Sequence, residues 1–315
     1  MAPNTLQKQF RLDSAESAFF TRELEYIDRT VYEQIFPDNK ARQLIPTQAG
    51  IPEWAKVYTW REFTKFGKAT IAANMADDIP RADVTGTEFS RVIKAIPSAY
   101  GWDIMEIKAA AATGTRLDAM KAMSARYAIE VGIDNLLAVG DSDHNLDGLL
   151  TLSNTTSYTL ADKAAGGKAW SSATSDEVAA DVFGAVTAIK NAMKDAGGPV
   201  FSRFVVVLPV SQYTDIAQRR MGDGSDKTIL RFILDNSPFI EAIEPWHQCS
   251  GAGAASADRM VVYPRNQLVL AGLVPMEYTT LPPEQRNLEY VVNALATVGG
   301  VVCRYPVAVA YGDGL

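Results

Sequence analysis

The sequence predicts a mixed α+β fold, and three observations carry that prediction. One helical pattern runs from about Thr115 to Val139 without a break. Two stretches dense in aromatic and β-branched residues, Trp54–Phe66 and Phe89–Tyr100, flank a polar segment. The second half alternates helical periodicity with short apolar runs of strand length and ends in strand patterns. The 315 residues are 47% hydrophobic and 21% charged, an ordinary globular composition that fills one large core or two modest ones.

Residues 1–13 are polar and aperiodic. From Asp13 the pattern turns helical, with Phe20, Leu24, Ile27, Val31 and Ile35 on one face. Asp13 and Glu16 suit its start, and Pro37 ends it. The strand-like stretch that follows holds Trp54, Val57, Tyr58, Trp60, Phe63 and Phe66. A second extended piece spans Phe89–Tyr100, and the polar tip between them includes Asn74, Asp77, Asp78, Arg81 and Asp83. An isolated two-stranded ribbon is marginal in water, and its open edges invite other chains. It either folds back on its own domain or is held by another copy.

Trp102–Ile107 and an alanine run read as a short helix broken at Gly114. Thr115 and Asp118 form a capping-box start for the long helix. Met120, Met123, Tyr127 and Val131 make an apolar stripe widened by Ile129, Ile133, Leu136 and Leu137. Gly140 suits the left-handed residue after the helix, and Leu146-Asp147-Gly148-Leu149-Leu150 closes the turn. Strand and turn follow over Leu149–Leu160, then an exposed loop over Ala161–Ser175 rich in small residues and Lys. Ser175 and Asp176 open a helix with Val178, Val182, Val186, Ile189 and Met193 inward, ended at Gly197-Gly198-Pro199. Phe204–Pro209 is a buried strand; helices begin near Ser211 and at Thr228. Met260–Tyr263, Asn266–Leu273, Leu288–Ala296, Val301–Tyr305 and Val307–Tyr311 read as strands, the last four forming a sheet that returns to the long helix.

The chemistry is sparse. The net charge of −7 opposes a tight grip on a nucleic-acid backbone but not enclosure of one. Cys249 and Cys303 lack metal-type spacing and are expected as free thiols, with a single disulfide left open as the alternative. Asp141-Ser142-Asp143-His144-Asn145 begins like a calcium loop, but Leu146 and Leu152 stand where Gly and Glu belong. His144 and His247 lack the partners of a zinc site. Gly166-Gly167-Lys168 and Gly251-Ala252-Gly253 fall short of phosphate and dinucleotide loops. No catalytic, cofactor-binding or metal-binding residue is assigned. No apolar run spans a bilayer, so a soluble protein made in the cytosol is expected.

The order of parts gives a further expectation. Thr21-Arg22-Glu23-Leu24-Glu25-Tyr26, Ala41-Arg42-Gln43-Leu44-Ile45-Pro46, Ala76–Asp83 and Tyr305-Pro306-Val307-Ala308-Val309-Ala310-Tyr311 occur in succession around the ribbon, long helix and glycine-bounded turn. In this the chain resembles the major capsid proteins of tailed bacteriophages, with the Hong Kong 97-like fold. The resemblance implies an N-terminal arm over 1–50, an extended β-hairpin loop over 51–100 and the spine helix of a peripheral domain over 101–148. It places an axial domain over 149–265 and a returning peripheral sheet with the C-terminal strand over 266–315. It implies pentamers and hexamers in an icosahedral shell that encloses double-stranded DNA without sequence-specific binding. Scaffolding, portal and decoration proteins are its partners, the virion its location and the host bacterial cytoplasm its place of assembly. Without a highly charged helical leader, a separate scaffold or a leader already removed is expected. Trp54, Trp60, Phe63, Lys65, Asp77, Asp78, Arg81, Asp83, Phe20 and Leu24 become candidates for contacts between subunits. Some shells of this fold join Lys to Asn covalently; Lys56, Lys65 and Lys68, with Asn287 and Asn293, occupy the corresponding regions, and no motif selects a pair. The alternatives are an encapsulin-type compartment shell and, from another class, a cytosolic α/β enzyme.

Overall fold

The computed structural model describes residues 39–67, 82–113, 117–198, 201–222, 224 and 226–315. The expected N-terminal helix with Phe20 and Leu24, the tip residues Asp77, Asp78 and Arg81, and Thr115 of the capping box lie outside them.

The one-turn helix α1 (Ala41–Leu44) is set by a single buried carboxylate. Asp134 Oδ1 accepts the Ala41 N–H at 2.7 Å, satisfying a donor that the helix start leaves orphaned. Arg42 then reaches Glu130 at 3.3 Å and Glu277 at 2.7 Å.

Strands β1 (Val57–Phe66) and β2 (Asp83–Val92) form an antiparallel ribbon, in register from Val57↔Val92 to Phe66↔Asp83. This corrects the sequence reading at two places. Asp83, expected in the tip, opens β2, and the expected strand over Phe89–Tyr100 is split at Ile93. Beyond that residue the chain runs on as β3 (Lys94–Asp103), which leaves the ribbon and pairs along its whole length with β13 (Glu289–Val298). Extended residues alternate alike on both sides of Ile93, so periodicity cannot reveal a change of partner.

Helices α2 (Ile104–Thr113) and α3 (Leu117–Ala138) match the expected short and long pair. The buried stripe of α3 is Ala125, Ile129, Ile133 and Leu137, at steps of four. Met120 and Met123 of the expected stripe are instead 41% and 57% exposed. The helix is apolar on two sides, and spacing alone does not say which one meets the body.

The end of α3 is closed by the glycine-bounded turn. Gly140 has φ +78°, and a Cβ there would lie 2.2 Å from the Leu146 carbonyl oxygen. A Cβ on Gly148 would lie 2.4 Å from the Ala138 oxygen. The two glycines let strands β4 (Gly140–Asp141) and β5 (Leu146–Asp147) fold back onto the helix end. The N–H groups of Leu149 and Leu150 donate to Leu137 and Ala138 at 2.8 Å each. The terminal carbonyls thus find partners.

The rest of the body is built on a five-stranded sheet in the order β6-β15-β9-β7-β8. Its strands are β6 (Thr156–Tyr158), β7 (Phe204–Leu208), β8 (Ile240–Pro245), β9 (Arg259–Tyr263) and β15 (Ala310–Asp313). Strand β7 is wholly buried, as its apolar run predicts. Helices α4 (Ser175–Asp195), α5 (Val210–Gln218) and α6 (Ile229–Asn236) complete this part. Helix α4 starts with a capping box between Thr174 and Glu177 and buries Val178, Val182, Val186, Ile189 and Met193 as expected. The second sheet pairs β13 with β3 on one side and with β11 (Met276–Thr280) and β12 (Glu284–Arg286) on the other. A short pair, β10 (Leu270–Gly272) and β14 (Val301–Cys303), lies outside both sheets, so the expected strands Asn266–Leu273 and Val301–Tyr305 are shorter than expected and pair with each other rather than joining the returning sheet.

Further details depart from expectation. Val307–Tyr311 is not a strand of the returning sheet: Pro306–Ala308 is a 3₁₀ turn, and β15 joins the five-stranded sheet between β6 and β9. Strands β8, β11 and β12 were not foreseen. The expected exposed loop Ala161–Ser175 holds buried Lys163 and Trp170, both bonded to Asp181 of α4.

Candidate assembly surface

The ribbon leaves much of its surface uncovered by the described residues of its own subunit. The first eight residues of β2 are exposed on both faces, and only Arg91 and Val92 at its root are partly covered. A sheet with one buried face alternates between buried and exposed positions; β2 does not, while in β1 Tyr58, Trp60 and Glu62 are partly covered and the residues between them exposed.

Strand geometry sorts its side chains into two faces. One carries Val57, Arg61, Phe63 and Lys65 opposite Val92, Glu88, Gly86 and Val84. Phe63 is 67% exposed and lies across Gly86, where a Cβ would come 3.1 Å from the ring. Glycine there leaves room for the ring to rest on the opposite backbone. Arg61 and Glu88 pair at 2.9 Å beside it. The other face carries an aromatic ladder. Tyr58 stacks on Trp60 with ring centres 6.0 Å apart, and Trp60 on Phe89 at 5.6 Å. Trp60 Nε1 donates to Glu62 Oε1 at 2.7 Å.

The root is held to the body by polar contacts. Arg304 Nη2 donates to Tyr58 Oη at 2.9 Å and to Gln48 Oε1 at 3.1 Å, while Nη1 donates to the Gln267 carbonyl. Arg91 of β2 pairs with Asp147 of β5. The Ile93 N–H donates to the Lys56 carbonyl at 2.9 Å. A cleft of about 320 Å³ separates the aromatic face from the body, lined there by Leu152, Asn154 and Cys303.

The described candidates therefore fall into distinct places. Trp54 lies in a turn before β1 and is 82% exposed. Phe63 and Lys65 share the open face, and Trp60 lies half-buried in the ladder. Asp83 is exposed, its Oδ1 accepting the Val84 N–H at 2.8 Å. Sequence reasoning missed Arg91, Asp147, Tyr58 and Arg304 as the root contacts. Residues so far apart in the chain carry no local signal of their meeting.

Burial pushes the thiols of Cys249 and Cys303 up to about 12, so neither is a thiolate near neutral pH. Both are free. His144 Nδ1 lies 2.6 Å from Asp141 Oδ2, a hydrogen bond that lowers the carboxyl's pKa. Among the described residues no cluster of three or more His, Cys, Asp or Glu side chains could hold a metal ion. No helix among them is long and apolar enough to cross a membrane.

Comparison with known proteins follows this geometry. A family model described as "Major capsid protein" matches residues 67–315. No curated protein matches the chain. Among solved structures, "The capsid of Myoviridae Phage XM1" superposes with a TM-score of 0.82 at 18% identity, covering 95% of this chain and 100% of that one. The capsid of a native GTA particle gives 0.65 at 10% identity, covering 96% and 99%. A solved structure described as "Mycobacterium phage Adephagia" gives 0.63 at 12% identity, covering 95% and 98%. The fold is the Hong Kong 97-like fold of phage capsids.

Proposed function

The chain belongs to the major capsid protein family, and on that premise we propose that it builds the icosahedral head of a tailed double-stranded DNA phage. Pentamers and hexamers of this subunit close the shell around the genome in the host bacterial cytoplasm. DNA is enclosed rather than read: with a net charge of −7, the wall lets it slide. A scaffolding protein, a portal and decoration proteins are the further partners.

The observation that carries this reading is the ribbon, whose strand β2 is exposed over its first eight residues and whose open face bears Phe63, with Trp54 beside its root. A two-stranded ribbon gains stability when another surface covers it. A second copy supplies that surface, and Trp54, Phe63, Lys65 and Asp83 meet it. Trp60 supports the ribbon from its other face. Phe20 and Leu24 of the N-terminal arm, with Asp77, Asp78 and Arg81 at the tip, add further contacts. Each is weak alone, but in a closed shell every contact raises the effective concentration of the next.

The test is deletion of residues 74–81 with a short turn in their place. The subunit is expected to keep its thermal midpoint, elute as a small species and form no particles under negative stain. Normal particles from the deleted protein would contradict the proposal.

A further inference from the structure

The strap that leads from α1 toward the ribbon, and the ribbon itself, share one cation. Past α1 the chain lies along β10: the Gln48 N–H donates to the Gly272 carbonyl and the Gly272 N–H to the Pro46 carbonyl, at 2.9 Å each. Strand β10 pairs in turn with β14, and Arg304 follows β14 with its backbone N–H held by the Val269 carbonyl at 2.7 Å. The backbone beneath this guanidinium is thus part of the body. Its donors go to three segments: Nη1 to the Gln267 carbonyl, and Nη2 to Gln48 Oε1 of the strap at 3.1 Å and to Tyr58 Oη of β1 at 2.9 Å. A guanidinium presents its N–H donors in a planar fork and holds acceptors from several directions at once, whereas an ammonium is a point charge on a flexible stem.

Tyr58 is the lowest rung of the aromatic ladder. Its ring stacks on Trp60 with centres 6.0 Å apart, and Trp60 on Phe89 at 5.6 Å, so the hydroxyl that Arg304 holds is the foot of a stack spanning both strands. Holding the foot restricts the stack, and with it the strands whose other face presents Phe63 and Lys65. A surface already held in its binding shape loses less conformational entropy when it meets its partner. Arg304, Tyr58 and Gln48 lie outside the buried core, so the body does not depend on them for its packing. Arg91 and Asp147 tie the other strand to the body, so loss of the Arg304 contact loosens the ribbon without detaching it.

We propose that Arg304 is the positioning residue of the assembly surface: through the Tyr58 hydroxyl it holds the ribbon, and through Gln48 the strap, in the shape that a neighbouring copy meets. The contact belongs to the single subunit; its consequence for assembly rests on the shell reading. Arg304 acts on assembly more than on the stability of the fold, and it does so as a fork rather than as a charge.

The experiment compares wild type with Tyr58→Phe, Arg304→Lys and the two together. Tyr58→Phe removes one acceptor and keeps the stacked ring; Arg304→Lys keeps the charge and removes the fork. Urea unfolding and amide hydrogen exchange are read on dilute, unassembled subunit, and the concentration at which particles form is read by light scattering. In each single variant the peptide covering 57–66 is expected to exchange about tenfold faster, with 204–208 unchanged, and the assembly concentration to rise about tenfold. The urea midpoint is expected to stay near that of wild type. The double variant is expected to match Arg304→Lys alone, since both changes break the same contact. Assembly of Tyr58→Phe at the wild-type concentration, effects that add in the double variant, or an unfolding loss as large as the assembly loss would each overturn the proposal. Failure of wild type to form closed particles would instead overturn the shell reading, and the exchange rates would then decide whether Arg304 holds the ribbon.

Discussion

Among the described residues Phe63 lies across the backbone of Gly86 and is 67% exposed, which makes it a sensitive reporter at the residue scale. Phe63→Ala is expected to move the subunit's unfolding free energy by less than about 0.5 kcal/mol, as for other exposed positions. The concentration needed for assembly should rise at least about tenfold, as for a buried aromatic anchor at an interface. Urea titration and light scattering check the two halves. Lys163 and Asp181 predict the reverse pattern. Their side chains are 1% and 3% exposed, and Trp170 Nε1 also donates to Asp181 at 2.9 Å. Asp181→Ala strands a buried ammonium and should cost about 3–5 kcal/mol in urea unfolding, without touching any contact between subunits. At Asp313 the hydrogen bond from Arg259 holds the carboxyl below its usual value. That contribution is present above the unfolded carboxylate range and is lost as pH falls through the depressed folded value. Asp313→Asn should therefore flatten the loss of stability below about pH 4 in acid titrations. Of these residues only Phe63 was legible beforehand, because an exposed aromatic on a strand is a local fact. Lys163 read as a loop lysine, and only the fold brings it to Asp181.

Elements were legible where the pattern is long and its ends are marked by chemistry. Helix α4 shows this: five inward residues at helical steps, a polar start that the sequence placed at Ser175 and Asp176, one residue from the true cap Thr174, and Gly197 with φ +63° after its end. The turn after α3 was equally plain, since its glycines stand where other residues do not fit. Gly148→Ala would force a Cβ against the Ala138 carbonyl and should cost at least about 2 kcal/mol in thermal or urea unfolding. A smaller loss would mean that the turn gives way. Strand β8 was not legible because Glu241 and Glu244 interrupt its short apolar pattern, and its place beside β7 comes from a parallel crossover. The break at Ile93 failed for a related reason. Strand propensity describes how a segment runs, whereas choice of partner is decided by the whole sheet.

At the scale of the whole molecule, the described body leaves apolar side chains uncovered along the ribbon and beside it, and also elsewhere, as at Met105, Met123, Leu268 and Leu288. The core takes in α1, α3, α4 and both sheets, while Trp54, Val57, Phe63 and Val84 stay exposed on or next to one projecting element. An apolar surface left out of a well-packed body points to a partner surface. In a major capsid protein that partner is another copy. Electron cryomicroscopy of assembled particles tests this most directly. The prediction is a closed icosahedral shell in which β1 and β2 of each subunit lie on a neighbouring copy, with Phe63 and Trp54 covered by it. A closed shell in which both side chains face solvent and the ribbon rests on its own subunit would contradict the account.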